Sequence, residues 1–568
     1  MKHSNICITF SLLSLMLLTA CDHSEERNPK KLVVINIRGT SFAHVQTYAA
    51  LRPESYLSGL LRNHRVTELT PIFNAVTATN LASFETGVYP NRHGIIGHQF
   101  GTRTDSLHVV SGFERRYEVP SFLEVADLQG LKVLNIGSLL LHGAFNSHLQ
   151  LRTIAQGEAL AAARQIALIA SPAPLQIQEP SEYIQPLSIS DSKARQIPIF
   201  GDYHIFVYAV DVQGETHFIV DNDSLPGNGY LARLKQEEWL ELDLGLTKNL
   251  RTSTRIKFNG GPGNTSLFVR SPFINRGFPE AFLKDLEVRF GGSKGWPSLG
   301  AYFGGQINST DVKSEINTEI EYLLNIYEHS LAQEDYDLIV MDYPLPDRYG
   351  HIFSIDFNEL HTREAFDKMD ADLEGLVKAA HENGYEILIQ SGHGFSKSHN
   401  QINLTGLLSK AFEGSQQTDD LPFLAIPGKV SAQIYFKSGE KEALDRLKEK
   451  LLTWQDPKTG NKLFEGVWSK TELARLGLDH EDAGDLFLLL KPGYVFQANG
   501  SADHLLFSQP TFKGDHGYSP EYAESRGVLI HPGFTIATTK PHIVDVAPSV
   551  LKLLGIVADH AMDGKPLF

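Results

Sequence analysis

The sequence predicts an α/β protein: a three-layer sandwich of helices about a largely parallel sheet, carrying a β-rich insert and a small α+β insert. Two runs, Leu32-Val33-Val34-Ile35 and Leu338-Ile339-Val340-Met341, are apolar at every position, as strands covered on both faces must be. Strand-like and helix-like segments alternate on either side of them. Asp347-Arg-Tyr-Gly-His351 directly follows the second run, and His393 and His516 follow Gly-rich turns farther along. An open parallel sheet gathers the carboxyl ends of its strands at one edge, so a carboxylate and histidines from distant loops can meet there around one cation.

Along the chain, Leu32–Ile37 reads as a buried strand ended by the Arg38-Gly39 turn. Ser83 to Gly87, with Tyr89-Pro90 and Gly94 beyond, reads as a helix closing into a loop. A helix over Ser121–Gln129 precedes a parallel strand over Leu131–Gly137, and the Ala-rich stretch Ala155–Ile169 is expected to be helical. Past Pro198 the texture changes to alternating runs, including His204–Val210, Thr216–Val220, Thr254–Phe258 and Ser266–Arg270, separated by Gly/Asn/Asp/Pro turns. These predict a small sandwich or cap. Helix–strand alternation returns with helices at Ser314–Ala332 and Arg363–Asn383 and strands at Tyr336–Met341 and Tyr385–Gln390. Then come a strand (Val430–Phe436), a helix (Lys441–Trp454) and two strands (Phe464–Trp468, Asp485–Leu490), and finally a helix from Val544 to Gly555, whose glycine suits a helix end. The expected organisation is a signal segment at 1–21, a tether at 22–31, core at 32–197, β-rich insert at 198–310, core at 311–408, α+β insert at 409–490 and core at 491–568.

With 568 residues, 42% of them hydrophobic and 21% charged, the chain is long enough for one large core plus appended domains. A net charge of -16 argues against a nucleic-acid polymer as partner, since phosphate backbones are held by clustered Lys and Arg. Ile6–Leu18 is the one long uncharged apolar run; it is too short to span a bilayer and reads as a signal h-region. Leu18-Thr19-Ala20-Cys21 resembles a bacterial lipobox, which implies cleavage before Cys21, lipid attachment to it and a membrane anchor. In a Gram-negative host, Asp22 implies retention on the periplasmic face of the inner membrane. Cys7 is the only other cysteine, so no disulfide and no thiolate-bound metal are expected in the mature protein.

The segments LVVINIRG (32–39), TATNLASFETGVYPNRHGI (77–95), DRYGH (347–351), QSGHGF (390–395), GDHGYSPE (514–521) and the terminal DVAPSVLKLLG with MDGKPLF together resemble the alkaline phosphatase superfamily, in its type I phosphodiesterase/nucleotide pyrophosphatase branch. The resemblance implies an alkaline-phosphatase-like fold and a phosphate-ester hydrolase with two zinc ions about an alkoxide nucleophile. It places Thr77 at the nucleophile and Asn80 at the phosphate-binding position. Asp347, His351 and His516 fall on the three protein ligands of one metal site, a donor set that suits zinc. In the second site only His393 and Thr77 remain: Arg38 and Gly392 stand where the family has aspartates. An ion beside a guanidinium trades attraction for repulsion, and one charge pair at ~4 Å is worth about 4 kcal/mol even at an effective dielectric of ~20. One zinc per chain is therefore expected. Asn36 and Asp342 are nearby candidates for replacement ligands outside the family register.

Three roles stay open for Arg38: a fork steadying a substrate oxyanion, a residue of a degenerate ligand-binding pocket, or a plug paired with Asp342 or Asp347. The expected function is accordingly phosphate-ester hydrolysis with one metal ion and reduced or altered activity. The alternative is a pseudoenzyme that binds an anionic small molecule, glycan or partner. Sulfate-ester hydrolysis is disfavoured, because sulfatases of the superfamily use a modified Cys or Ser and no cysteine stands near Thr77. Substrate and oligomeric state are not legible.

Overall fold

The structure is a computed structural model. It describes residues 31–103, 107–139, 151–159, 164–167, 175–176, 195–200, 202–212, 215–224, 230–244, 252–259, 266–271, 273–333, 335–412, 422–436, 441–497, 506–536 and 540–568. The signal segment, Cys21 and nearly all of the tether lie outside these residues.

The sheet that positions the site is built from β1 (Leu32–Asn36), β2 (Val66–Leu69), β3 (Val133–Ser138), β4 (Leu151–Ala159), β5 (Leu338–Asp342), β6 (Glu386–Ser391) and β7 (Gly527–Ile530), in the order β2-β7-β6-β1-β5-β3-β4. The strands from β6 to β4 run parallel, and β7 is antiparallel to both of its neighbours. Alternate side chains point to opposite faces. Val33, Ile35, Ile339, Met341, Ile387 and Ile389 enter one core; Leu32, Val34, Leu338, Val340 and Leu388 enter the other. That is why these runs carry no polar residue on either face.

Helices α1 (Thr77–Thr86), α2 (Phe122–Leu128), α3 (Ser309–Gln333), α4 (Leu345–Phe353), α5 (Leu360–Glu382) and α6 (Val546–Leu554) complete the layers. The first face takes α3 through Val312, Ile316, Ile320 and Ile326 and α5 through Phe366, Met369 and Leu373; the second takes α1, α2 and α6. Ser121 and Glu124 form a capping box at the start of α2, and α6 stops at Gly555, which has a left-handed φ of 73°. The three-layer α/β architecture is as expected.

The β-rich insert is a sandwich continuous with the core. Beyond β4 the same sheet runs on through Phe273–Phe278, Ser253–Asn259 and Ser266–Val269 to Arg164–Ala167. A second sheet, including Tyr203–Val212 and Glu215–Asp221, packs over it through Ile205, Phe218, Ile256, Phe258 and Leu267, with Phe218 stacked on Phe258 at 4.1 Å. One expectation is corrected here. Ala155–Ile169 is not a helix: its described parts lie in the strands Leu151–Ala159 and Arg164–Ala167. Strand pairing on both sides of β4 outweighs the weak helical preference of alanine. The α+β insert has a four-stranded sheet, Phe423–Pro427, Ser431–Phe436, Leu486–Leu490 and Phe464–Ser469 in spatial order, with the helix Lys441–Leu452 closing its apolar face. No helix among the described residues is long and apolar enough to cross a membrane.

Glu85 on α1 is buried and accepts the Tyr117 hydroxyl at 2.8 Å. Burial pushes its carboxyl up to about 8, against the opposing hydrogen bond. The folded value lies above the unfolded one, so this group's contribution is intact below about pH 4 and is lost as pH rises through 8. Wild-type unfolding free energy is expected to fall by roughly 1–3 kcal/mol more than that of Glu85→Gln between pH 5 and pH 8. Denaturant melts at the two pH values check this, and parallel pH profiles would reject it.

Candidate functional site

The site lies where β1, β5 and β6 end. Asn36, Asp342 and Gln390 are register partners across these strands, and their side chains form a ladder. Gln390 Nε2 donates to Asn36 Oδ1 at 2.8 Å, and Asn36 Nδ2 donates to Asp342 Oδ1 at 2.9 Å. Asn36 is thereby committed to its neighbours. Three residues beyond it the chain turns at Gly39, whose φ is 83° and where a Cβ would stand 2.9 Å from the Asp347 backbone. Only glycine permits that approach, and it brings Arg38 against the start of α4.

The Arg38 guanidinium is 2% exposed and lies between two carboxylates, its Nε 3.0 Å from Asp342 Oδ2 and its Nη1 3.6 Å from Asp347 Oδ2. Burial opposes its charge, but Asp342 and then Asp347 outweigh that and raise its pKa. Its Nη2 makes no hydrogen bond among the described residues. Of the roles open to Arg38, the geometry matches the plug, while leaving one donor edge unused. Asp342, considered as a replacement ligand, is that plug's partner.

Asp347 and His351 are four residues apart on α4, so they share a face one turn apart. His516 joins them from the loop after Gly514-Asp515. The ligand atoms of the three lie within 4.8 Å of one another, with Asp347 Oδ1 3.7 Å from both His351 Nε2 and His516 Nε2. Around a tetrahedral ion at about 2.1 Å, ligand atoms stand roughly 3.4 Å apart, so small movements would close this set on zinc. Two further features fit such an ion. Asp347 Oδ1 is buried and accepts no hydrogen bond among the described residues. Carbonyl oxygens fix both tautomers: His351 Nδ1 faces Gly514 O and His516 Nδ1 faces Ala75 O, each at 3.2 Å, which leaves each Nε2 its lone pair. Burial holds both imidazoles well below their usual pKa, and therefore neutral. Burial pushes the Asp347 carboxyl up, but the charges of Arg38 first and Arg348 after it hold it well below the usual range, as an anion.

Thr77 is the first residue of α1, and its Oγ1 is 3.5 Å from His516 Nε2. The helix N-terminus places unpaired N–H groups and positive potential where an oxyanion would form. His393 stacks on His516 with ring centroids 3.8 Å apart; its Nδ1 bonds Gly394 O, and its buried Nε2 has no hydrogen-bond partner among the described residues. Asn80, one turn on from Thr77, occupies the space beside Gly392: a Cβ added there would meet Asn80 Nδ2 at 1.9 Å. A side chain at position 392 would therefore clash with Asn80. The expected site residues Arg38, Thr77, Asn80, Asp347, His351, His393 and His516 all converge on this edge.

Three neighbours escaped the sequence reading. Lys429, from the hairpin turn of the α+β insert, puts Nζ 2.9 Å from His351 Nε2 and 3.6 Å from Asp515 Oδ1. Asp515 itself accepts the His516 backbone N–H at 3.0 Å. His98 presents a buried Nε2 with no hydrogen-bond partner, and burial, followed by the Lys429 charge, lowers its pKa to about 3. The GDHG motif itself pointed to Asp515; Lys429 and His98 carried no local signal.

Arg38→Met keeps the bulk of the side chain and removes its charge, stranding Asp342 and Asp347. A loss of roughly 3–5 kcal/mol of stability is expected in denaturant melts, partly recovered by added zinc. An unchanged midpoint would show that the two carboxylates do not depend on the guanidinium.

The family model for type I phosphodiesterase / nucleotide pyrophosphatase matches residues 32–131 and 255–519, more than half of the chain. A search of curated protein sequences finds no match. Among solved structures, murine ectonucleotide pyrophosphatase / phosphodiesterase 5 aligns at 13% identity with a TM-score of 0.50, covering 94% of this chain and 98% of that one. An inactive form of the same murine protein in complex with AMP gives 13% identity and a TM-score of 0.49, covering 94% and 97%. The human protein gives 11% and 0.47, covering 94% and 97%. The likeness to the first of these agrees with the fold described above. On the family match, and with the motif segments brought to one sheet edge, the chain belongs to the type I phosphodiesterase/nucleotide pyrophosphatase family of the alkaline phosphatase superfamily.

Proposed function

We propose that this protein hydrolyses a phosphate ester at Thr77 with a single metal ion, zinc on the donor chemistry, held by Asp347, His351 and His516. The observation that carries this reading is the Arg38 guanidinium, wedged at 3.0 and 3.6 Å between Asp342 and Asp347 beside an otherwise intact ligand triad. A second dication there would face a fixed positive charge and would find neither of the family's two aspartates. The bound ion would supply Lewis acidity, polarising an ester oxygen.

The remaining work falls to side chains of the protein. Thr77 Oγ forms the new bond to phosphorus and gives up its proton to water, while the P–O bond to the leaving group breaks and that oxygen takes a proton from water. A second water then cleaves the Thr77 phosphoester and restores the hydroxyl, and the N-terminus of α1 favours the negative oxygens. Arg38 Nη2, which no described residue accepts from, and the Asn80 amide would serve as donors to the phosphate oxygens. Arg38 cannot take the threonine proton, so turnover is expected to be slower than in two-metal members. The anionic substrate is a phosphate ester, most simply a diester as the family name describes.

A second reading, a pseudoenzyme that binds an anionic ligand or partner, draws support from Lys429. Its ammonium lies against the His351 ring, 2.9 Å from the Nε2 that an ion would need. Under either reading we place the protein in the bacterial envelope, anchored through Cys21, because the lipobox-like tetrad follows a short h-region.

Zinc analysis of the purified chain should return about one ion per molecule, and two would overturn the one-metal reading. Hydrolysis of a bis-aryl phosphate should drop at least about a hundredfold in Thr77→Ala. Equal rates in the two proteins would place the chemistry elsewhere, and no hydrolysis by the zinc-loaded wild type would favour the binding role. Restoring the second site needs Asn80 to move: Arg38→Asp with Gly392→Asp is expected to fail unless Asn80 is also shortened to Ala. Cys21→Ser should shift the protein from the membrane to the soluble fraction on fractionation of expressing cells.

A further inference from the structure

We propose that Lys429 is an internal cation that competes with a metal ion for the Asp347–His351–His516 triad, so that metal binding requires its side chain to leave His351. The proposal rests on the metal-binding reading of the triad and adds a residue from a different domain to it.

The geometry is specific. Because His351 Nδ1 is committed to Gly514 O, its Nε2 is left unprotonated. The Lys429 ammonium lies against this ring, 2.9 Å from Nε2 and 3.4 Å from Nδ1, off the axis of the Nε2 lone pair. Nε2 is 3.7 Å from Asp347 Oδ1 and is the atom an ion in the triad would take. An ion and this ammonium would therefore sit against the same imidazole, and two positive charges a few ångströms apart repel each other strongly in a buried site.

The backbone at Lys429 is fixed. Gly428 N–H donates to Ser431 O and Phe496 N–H donates to Lys429 O, each at 2.7 Å, so displacement falls to the side chain. That side chain has somewhere to go. It is 29% exposed, whereas His351 and Asp515 are 2% exposed, and Asp515 Oδ1 waits 3.6 Å from Nζ as a second partner. The Phe512 ring, 5.1 Å from Nζ, lines the same path with its π face.

The test is calorimetric titration of zinc into chelator-stripped full-length protein, comparing wild type with Lys429→Met and Lys429→Gln. Both variants remove the charge from a partly exposed residue, so the fold should survive. Zinc is expected to bind each variant at least tenfold more tightly, and zinc should raise the melting temperature of each by more than it raises that of wild type. His351→Ala, introduced beside either variant, should abolish the heat. Equal or weaker affinity in both variants, with His351→Ala still abolishing binding, overturns the competition and leaves the triad as a metal site. Absence of zinc binding in every protein overturns both.

Discussion

The Arg38 pairing with Asp342 and Asp347 is the interaction on which the rest of the site depends. Three charges meet beyond the ends of β1 and β5, out of water, with the guanidinium 3.0 Å from Asp342 and 3.6 Å from Asp347. Charges so buried are tolerated only when paired, because each alone would incur several kcal/mol of desolvation. The guanidinium therefore does two things at once. It keeps Asp347 ionised, which a metal ligand must be, and on the one-metal reading proposed above it would take the place of a second ion. Asp342 and Asp347 are thus bridged by a side chain that offsets one of their two negative charges.

The architecture explains why so few residues decide the outcome. Parallel strands bring Asn36, Asp342 and Gln390 into register, and the hydrogen-bonded ladder among them fixes where Arg38 begins its turn. The insert then closes the site from outside. Ser431, beside Lys429, hydrogen-bonds Asn74 in the segment leading to Thr77, at 3.0 Å. The small α+β unit is thereby tied to the nucleophile's approach as well as to the metal triad. A change in the insert's hairpin can reach the chemistry without touching any residue of the family motifs.

Much of this was legible from local sequence. Runs such as LVVI and LIVM announce strands covered on both faces, and Asp347 and His351 at a spacing of four share a helical face wherever that helix lies. The Arg38 and Gly392 replacements were visible as departures in register. What stayed hidden was of two kinds. Lys429 is 78 residues from His351 and sits in an ordinary-looking Pro-Gly-Lys-Val turn, so nothing local connects it to the metal ligands. The stretch after Leu151 was misread because its alanines weigh toward helix one residue at a time, whereas strand pairing to β3 and to Phe273–Phe278 is a tertiary effect. The contact of Asn80 with Gly392 was hidden for the same reason, since only the folded chain reveals which side chain stands beside that glycine.

The charges around the triad set how strongly any cation is wanted. Asp342, Asp347 and Asp515 contribute three negatives; Arg38 and Lys429 contribute two positives. With Arg38 held between Asp342 and Asp347 and Lys429 beside Asp515, one net negative charge faces the imidazoles. On the one-metal reading, that is too little to hold two dications at close range and would suffice for one with the lysine withdrawn. Between the fully armed two-metal arrangement and an inert relic lies a site whose metal demand is weak and adjustable. The structure has the features of that middle case: ordered ligands, fixed tautomers, an orphaned carboxylate oxygen, and an ammonium against the imidazole that an incoming ion would use.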